Sequence, residues 1–278
     1  MRETALSKPV LSLPSNNPQR TWTLRVTLRQ LVPLLSLAGL LAIWQIITGL
    51  ELYPAFIIPP PIAVLEKFQE VLLNGTLAYH TGTTMVSMLA GLGIGLMLAV
   101  ILGYAIAKNP LLEEVLSPLI VALQSTPIVA YAPLLVIWFG SGPTSKIVTS
   151  ALIVFFPMLI NTIVGIRGIS PALRDLMRSM QATRWQTFTK LEVPAAMPVL
   201  ISGLKISATL AVIGAVVGEF VSAKAGLGFL LNLARSQYDT PLVVVAVITL
   251  TIIARTLYGL VSLLERRILS WKTRSRYE

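Results

Sequence analysis

No cysteine occurs anywhere in this chain, so disulfides and thiolate-ligated metals are excluded and its redox compartment cannot be read. Histidine is nearly as scarce, with His80 standing alone, and the 12 acidic residues are scattered along the chain. A membrane enzyme built on clustered His, Asp or Glu groups therefore has no obvious raw material here. Charge of either sign is thin, at 12% of residues against 55% hydrophobic, and the mean hydropathy is +0.78. Nor is there an internal repeat, which counts against a self-sufficient secondary transporter made of inverted halves. A low-complexity linker is likewise missing beyond the first thirty residues.

What fills the chain instead is a series of long apolar runs separated by short charged ones, because a charge in hydrocarbon is costly. Six spans are predicted, at 31–50, 84–107, 112–139, 147–164, 195–217 and 241–263. A span of ~20 residues at about 1.5 Å rise matches the ~30 Å hydrocarbon core. The third is interrupted by Pro118, Pro127 and Pro133, which predicts a kinked or broken helix of the kind tolerated where freed carbonyls line a cavity. The expected fold is thus all-α, a polytopic membrane protein of about six transmembrane helices. In domain terms, 1–30 reads as a flexible tail with Pro9, Pro14 and Pro18, 31–264 as one transmembrane domain, and 265–278 as a basic tail. The chain is expected to hold no ATPase domain. The first apolar run begins too late and is too long for a cleaved signal peptide, so a retained anchor is expected.

Lysine and arginine set the orientation. With the N-terminus inside, most of the 22 basic residues fall on the cytoplasmic side, among them Arg25, Lys108, Arg167, Arg174, Arg178, Arg184, Lys190, Arg266 and Arg267. Only Lys67, Lys146, Lys224 and Arg235 fall outside, and Lys205 and Arg255 lie within or at the edge of spans. The positive-inside rule then places both termini and the polar segment 168–194 in the cytoplasm of a cell-membrane protein. Topology and anionic membrane lipid account for the net charge of +10, and nucleic acid need not be invoked.

The segment 168–194 has its own helical grammar. Ser170 and Pro171 form a start signal, as N-cap and first helical residue. Leu173, Leu176, Met177 and Met180 follow at helix-face spacing, with Arg174, Asp175 and Arg178 pointing elsewhere. Thr183 and Gln186 form a capping box for a second short helix, which Pro194 is expected to end. On pattern alone this is either an amphipathic helix lying on lipid or a docking helix whose Leu/Met face fills a groove in a soluble partner.

A resemblance separates these readings. The segment resembles the EAA loop of binding-protein-dependent ABC importer permeases, a signature of EAA, three residues, Gly, nine residues and I-x-L-P. Asp175, Leu176 and Met177 occupy the EAA positions, Gln181 stands at the Gly position, and Leu191, Glu192, Val193 and Pro194 close the motif. Gln181 must make the inter-helix turn without glycine's freedom. Further stretches at 132–147, 155–167 and 216–230 are similar to the nitrate, sulfonate and taurine branch of that family. The resemblance implies a coupling helix seated in a cytoplasmic ABC ATPase subunit, with Leu173, Asp175, Leu176, Met177, Met180 and Gln181 as the docking residues. It also implies a second permease subunit, commonly giving a homodimer, and an extracytoplasmic solute-binding protein. ATP would be bound by the partner subunits, with no cofactor in this chain. Phrases at 183–198, 202–221 and 239–246 resemble branch members tied to vitamin-type heterocycles such as riboflavin or thiamine pyrimidine precursors. The alternative is a small anion such as nitrate, a sulfonate or taurine.

Within the spans, Gln124, Thr126, Tyr131, Asn161 and Glu219 are candidates for the translocation pathway, with inter-helix packing as the equal alternative for each. Glu219 is expected to pair with Lys224 or Arg235, or to form an outer gate. Lys205 and Arg255 read as cations snorkelling toward headgroups, unless the solute is an anion. Gly91, Gly95, Ala99 and Gly103 recur every four residues, which points to close helix packing. His80, at a span end, reads as an interfacial or capping residue. The run Gly140 to Lys146 resembles a phosphate loop but lacks its second Gly and its Ser/Thr. Asn74-Gly75-Thr76 matches a glycosylation triplet, a pattern common by chance. Ile62, Leu65, Phe68, Val71 and Leu72, after three prolines, predict an amphipathic helix on the outer surface.

Overall fold

A computed structural model of the chain describes residues 19–270, and these divide into two compact units, Met1–Pro61 and Ile62–Glu278. The prolines of the first tail and residues 271–278 of the second lie outside the described residues. In the first unit, helix α1 (Gln19–Gly49) reaches back into the segment expected to be flexible. Among its described side chains the apolar stretch is Leu35–Gly49. Beyond it the chain turns, and the Trp44 indole donates to the Pro59 carbonyl at 3.0 Å.

The second unit is built of helices throughout its described residues. After α2 (Pro61–Leu73) come α3 (Thr76–Lys108), α4 (Pro110–Ser125), a short 3-10 turn (Ile128–Tyr131), α5 (Ala132–Phe139) and α6 (Pro143–Arg167). Then follow α7 (Pro171–Ser179), α8 (Arg184–Thr187), a π turn (Phe188–Glu192), α9 (Val193–Ser222), α10 (Leu227–Ser236) and α11 (Thr240–Ile268). Four helical stretches are long and apolar enough to cross a membrane: α3, α6, the run from α8 through α9, and α11. The predicted third span is not one helix, because α4 and the helical segment through α5 meet at 87°. Pro127 opens the 3-10 turn and Pro133 starts α5, so the ladder is interrupted where two prolines lack donors.

That bent pair still has to traverse the bundle once. At one end of the unit, His80 of α3 accepts from the Gly226 amide, and Gly218 of α9 packs on Lys146 of α6. At the other end, Lys108 of α3 meets Glu192, and Arg167 of α6 pairs with Glu113 in the first turn of α4. So α4 begins at the Glu192 end, whereas α5 stops just before α6 starts at the His80 end. The described residues of this unit therefore make five crossings, one of them broken. The remaining predicted span, at 31–50, falls on α1, whose side chains before Leu35 lie largely outside the described residues.

Close approach of backbones holds the centre. A Cβ at Gly95 would lie 2.6 Å from the Ala151 carbonyl oxygen, and one at Gly214 would lie 2.6 Å from the Ser150 Cα. The small-residue stripe on α3 thus faces α6, as the packing reading expects, and α9 presses on α6 from another side. Ser150 donates to the Ala211 carbonyl at 3.1 Å, and Ser207 to that of Val154 at 3.4 Å, so the tight contact is also hydrogen-bonded. Met88, Leu92, Val154, Val212 and Ala215 fill one part of the core, and Ala99, Ile106, Met158 and Leu159 another.

Helix α2 forms where the sequence predicts a helix. Val64 and Val71 are its buried positions, while Ile62, Leu65 and Leu72 are exposed. Lys67 ties it down, bridging Glu70 at 2.9 Å and Asp239 at 3.3 Å. These carboxylates, Glu70 first, raise the Lys67 pKa above its ordinary value. Asp239 at the same time caps α11 by accepting from the Leu242 amide at 3.1 Å.

Overpacking at the α3–α6 contact should be felt and its neighbour should not. Gly95→Val is expected to cost about 1–3 kcal/mol and to lower the thermal midpoint in detergent. Gly93→Ala, with nothing within 4 Å of its Cβ, should leave that midpoint unchanged or slightly raised.

Candidate functional site

The polar segment between α6 and α9 projects from the Glu192 end of the bundle. Pro171 starts α7 and Ser170 is its N-cap, but the Ser170 side chain makes no capping bond. The helix presents Leu173, Leu176 and Met180 outward, 44%, 53% and 69% exposed, while Met177 is half-buried. Trp185, just beyond, is 71% exposed. Asp175 is exposed and pairs with Arg178 one turn on at 3.4 Å. An apolar ridge of this kind on a short helix outside the core has no packing role within its own unit.

Gln181 makes the turn between α7 and α8 in the left-handed region, at φ 52°. The Ala182 amide reaches the Met177 carbonyl at 3.0 Å and the Gln181 amide that of Arg178 at 2.9 Å, which is the bonding of a Schellman helix end. The position normally filled by glycine therefore keeps glycine's conformation and carries the strain of a side chain there. The expected capping box is present: Gln186 donates its amide to Thr183 Oγ1 at 3.2 Å, and its side chain accepts from the Thr183 amide at 2.8 Å.

Pro194 does not end the second short helix, contrary to expectation. The chain passes from α8 through the π turn directly into α9, with Pro194 in the first turn of α9. Widening the helix just before the proline relieves the clash its ring would make with the carbonyl four residues back. The π turn also delivers Glu192, which is 1% exposed, against α3. Its carboxylate accepts from the Tyr104 hydroxyl at 2.8 Å and pairs with Lys108 Nζ at 2.6 Å. Arg174 of α7 adds a second positive charge nearby and donates to the Ile166 carbonyl at 2.7 Å. Sequence reading treated Glu192 only as a letter of the motif and overlooked Tyr104. The available signal was an acidic residue set between Leu191 and Val193 at the edge of an apolar run.

The five pathway candidates do not converge. Gln124, Thr126 and Tyr131 share the break between α4 and α5, with Thr126 and Tyr131 half-buried. Asn161 packs against Gly203 of α9 and donates to the Pro157 carbonyl at 2.8 Å. Glu219 is 1% exposed and pairs with neither Lys224 nor Arg235. It accepts instead from the Thr84 hydroxyl at 2.9 Å and the Gly228 amide at 2.7 Å, with the Lys146 charge acting on it. Thr84 in turn accepts from the Leu227 amide at 2.7 Å. His80 belongs to the same knot, capping the start of α10 from a buried position. Lys146, expected on the outer side of the membrane, is 5% exposed in the first turn of α6, and residues 143–146 of the phosphate-loop look-alike are helical. Asn74 accepts from the Thr76 amide at 3.0 Å, a turn bond at the start of α3. Lys205 pairs with Glu265 of α11 and lies 5.6 Å from the centre of the Tyr258 ring.

Comparison with known proteins places this arrangement. Residues 91–270 match the model of the binding-protein-dependent transport system inner membrane component. The chain belongs to that family. It is 46% identical to the riboflavin transport system permease protein RibX of Chloroflexus aurantiacus, over 84% of this chain and 87% of that protein. It is 34% identical to a putative aliphatic sulfonates transport permease protein, SsuC of Bacillus subtilis, over 87% of each. A methionine ABC transporter solved in inward-facing conformations shares the fold, with a TM-score of 0.57 and 20% identity over 73% of this chain and 98% of that one. The chain is accordingly the multi-pass inner-membrane permease subunit of an ABC importer, working with ATPase and solute-binding partners. Its family is one of transport components and not of enzymes.

The strained turn yields a direct expectation. Gln181→Gly should relieve about 0.5–1 kcal/mol. Hydrogen exchange at the amides of 178–182 should slow roughly two- to fivefold in the variant.

Proposed function

We propose that this permease carries a flat, vitamin-type heterocycle such as riboflavin or a pyrimidine precursor of thiamine, handed over by an extracytoplasmic binding protein. The support is the 46% identity to a riboflavin permease along most of both chains. Two copies of the chain form the pathway as a homodimer, embedded in membrane lipid, with both termini cytoplasmic as the lysine and arginine distribution favours. The break carrying Gln124, Thr126 and Tyr131, together with Asn161 and Glu219, supplies the polar groups along the path. The rival substrate class is a small anion such as nitrate, taurine or another sulfonate, favoured by the 34% identity to a putative aliphatic sulfonates permease. Titrating the cognate binding protein with riboflavin and with an alkanesulfonate separates the two. Saturable heat with riboflavin alone is expected, and saturation by the sulfonate alone would replace the proposed substrate class.

The exposed ridge of α7 is the proposed docking element for the ATPase. Leu173, Leu176 and Met180 supply apolar area, Met177 and Asp175 flank it, and Gln181 sets the angle at which α8 leaves. ATP is bound by the partner subunits and no cofactor by this chain. An anchor of this type on a helix inserted in a groove is worth about 2 kcal/mol or more. Leu176→Asp should therefore weaken co-purification of the ATPase by at least ~30-fold while membrane insertion stays intact. Undiminished co-purification would remove α7 as the docking helix.

A further inference from the structure

Docking alone does not move a membrane span; the loop must also be fastened to one. Four side chains form a continuous chain of contacts from the loop surface to α3. Exposed Trp185 stacks on Phe188 at 5.6 Å between ring centres, and Phe188 meets the Tyr104 ring edge-on at 5.4 Å. Tyr104 then donates to Glu192, which also holds Lys108. Phe188 and Glu192 are the first and last residues of the π turn. One inserted residue rotates everything after it by about 100° on the helix, and in this register Glu192 faces α3.

The burial of this carboxylate is not explained by stability. A buried ion pair contributes little net stabilisation relative to apolar side chains of similar volume. Here the pair is one-sided as well, with the Glu192 side chain 2% exposed and that of Lys108 44%. What an ion pair provides that apolar contact does not is a fixed direction and register.

We infer that Glu192 is a positioning residue that clamps the loop to the last turns of α3, so that displacement of α7 by the ATPase is delivered to that span. The inference rests on the reading of α7 as the docking helix. Lys108 and Tyr104 are its fixed partners, and Arg174 holds the preceding turn of the loop to the end of α6.

The test uses the full importer, with this chain, its ATPase and its binding protein reconstituted in liposomes. Glu192→Gln should assemble and insert normally and keep ATP hydrolysis within about twofold of wild type. Riboflavin uptake per ATP should fall at least tenfold. Lys108→Met and Tyr104→Phe should lower the same ratio by smaller factors. The double variant Lys108→Met with Glu192→Gln should be no worse than Glu192→Gln alone. A second readout is independent of the solute. Because this chain has no cysteine, spin labels at Ser179→Cys and Ile101→Cys report the α7-to-α3 distance in complexes with a cysteine-free ATPase. Wild type should give one narrow distance with and without ATP, and Glu192→Gln a broad one that shifts with ATP. Identical distance distributions in both proteins would overturn the inference, as would a fall in uptake that only follows the amount of assembled complex. Should Glu192→Gln fail to assemble, an unchanged uptake-to-ATP ratio in both Lys108→Met and Tyr104→Phe overturns it equally. Failure of the docking reading would show separately, as Leu176→Asp complexes that form like wild type.

Discussion

In a solvent as apolar as the side chains themselves, burying leucine gains nothing, so helices associate only where backbones come close enough for dispersion and short polar bonds to act. The rest of this structure depends on that constraint. Helix α6 is the post against which α3 and α9 both press, and small residues face it at each contact, with Gly95 over Ala151 and Gly214 over Ser150. The hydroxyls of Ser150 and Ser207 then reach carbonyls of the neighbouring helix. A Cβ at Gly95 or Gly214, or a side chain larger than serine at Ser150 or Ser207, would separate the helices and lose dispersion and hydrogen bonds together. The three helices are therefore packed as one slab, so a push delivered to α3 is shared with α6 and α9.

The apolar periodicity and the loop grammar were legible because each follows a local rule. Apolar runs of span length gave four crossings close to their observed limits. The capping box at Thr183 and Gln186, and the proline start of α7, appear as local rules require. The stripe from Gly91 to Gly103 announced a close helix contact because small residues at four-residue spacing have little other use in a span. Gln181 announced a strained turn because its place in the motif demands φ above zero.

What was illegible depends on partners distant in the chain. Glu219 looked free to choose among nearby cations, yet it is fixed by Thr84, 135 residues away, and by an amide across the α9–α10 turn. Lys146 gave no sign of its burial for the same reason, since the Gly218 it packs on belongs to α9. Pro194 looked like a stop, since a local rule does not foresee that a π turn would absorb it. The third span was flagged by its prolines, but their number does not fix an 87° angle.

The two ends of the slab are held by the same chemistry used in different ways. At one end Glu219 is enclosed by a hydroxyl, an amide and the reach of Lys146, and its ligands come from α3 and α10. At the other end Glu192 is equally buried, but the cation it holds is nearly half exposed and belongs to the last turn of α3. An enclosed knot resists rearrangement because breaking it strands several polar groups in a low dielectric. A half-exposed one can exchange a protein partner for water at small cost, yet still fixes direction while intact. That asymmetry suits a bundle held firmly where α10 folds back and pushed where its loop meets a moving partner. Beside them, the α4–α5 break leaves Gln124 and Ser125 exposed next to Pro127, while Ala132 and Leu135 anchor α5 from buried positions, so the interrupted backbone lies between an exposed half and a held one.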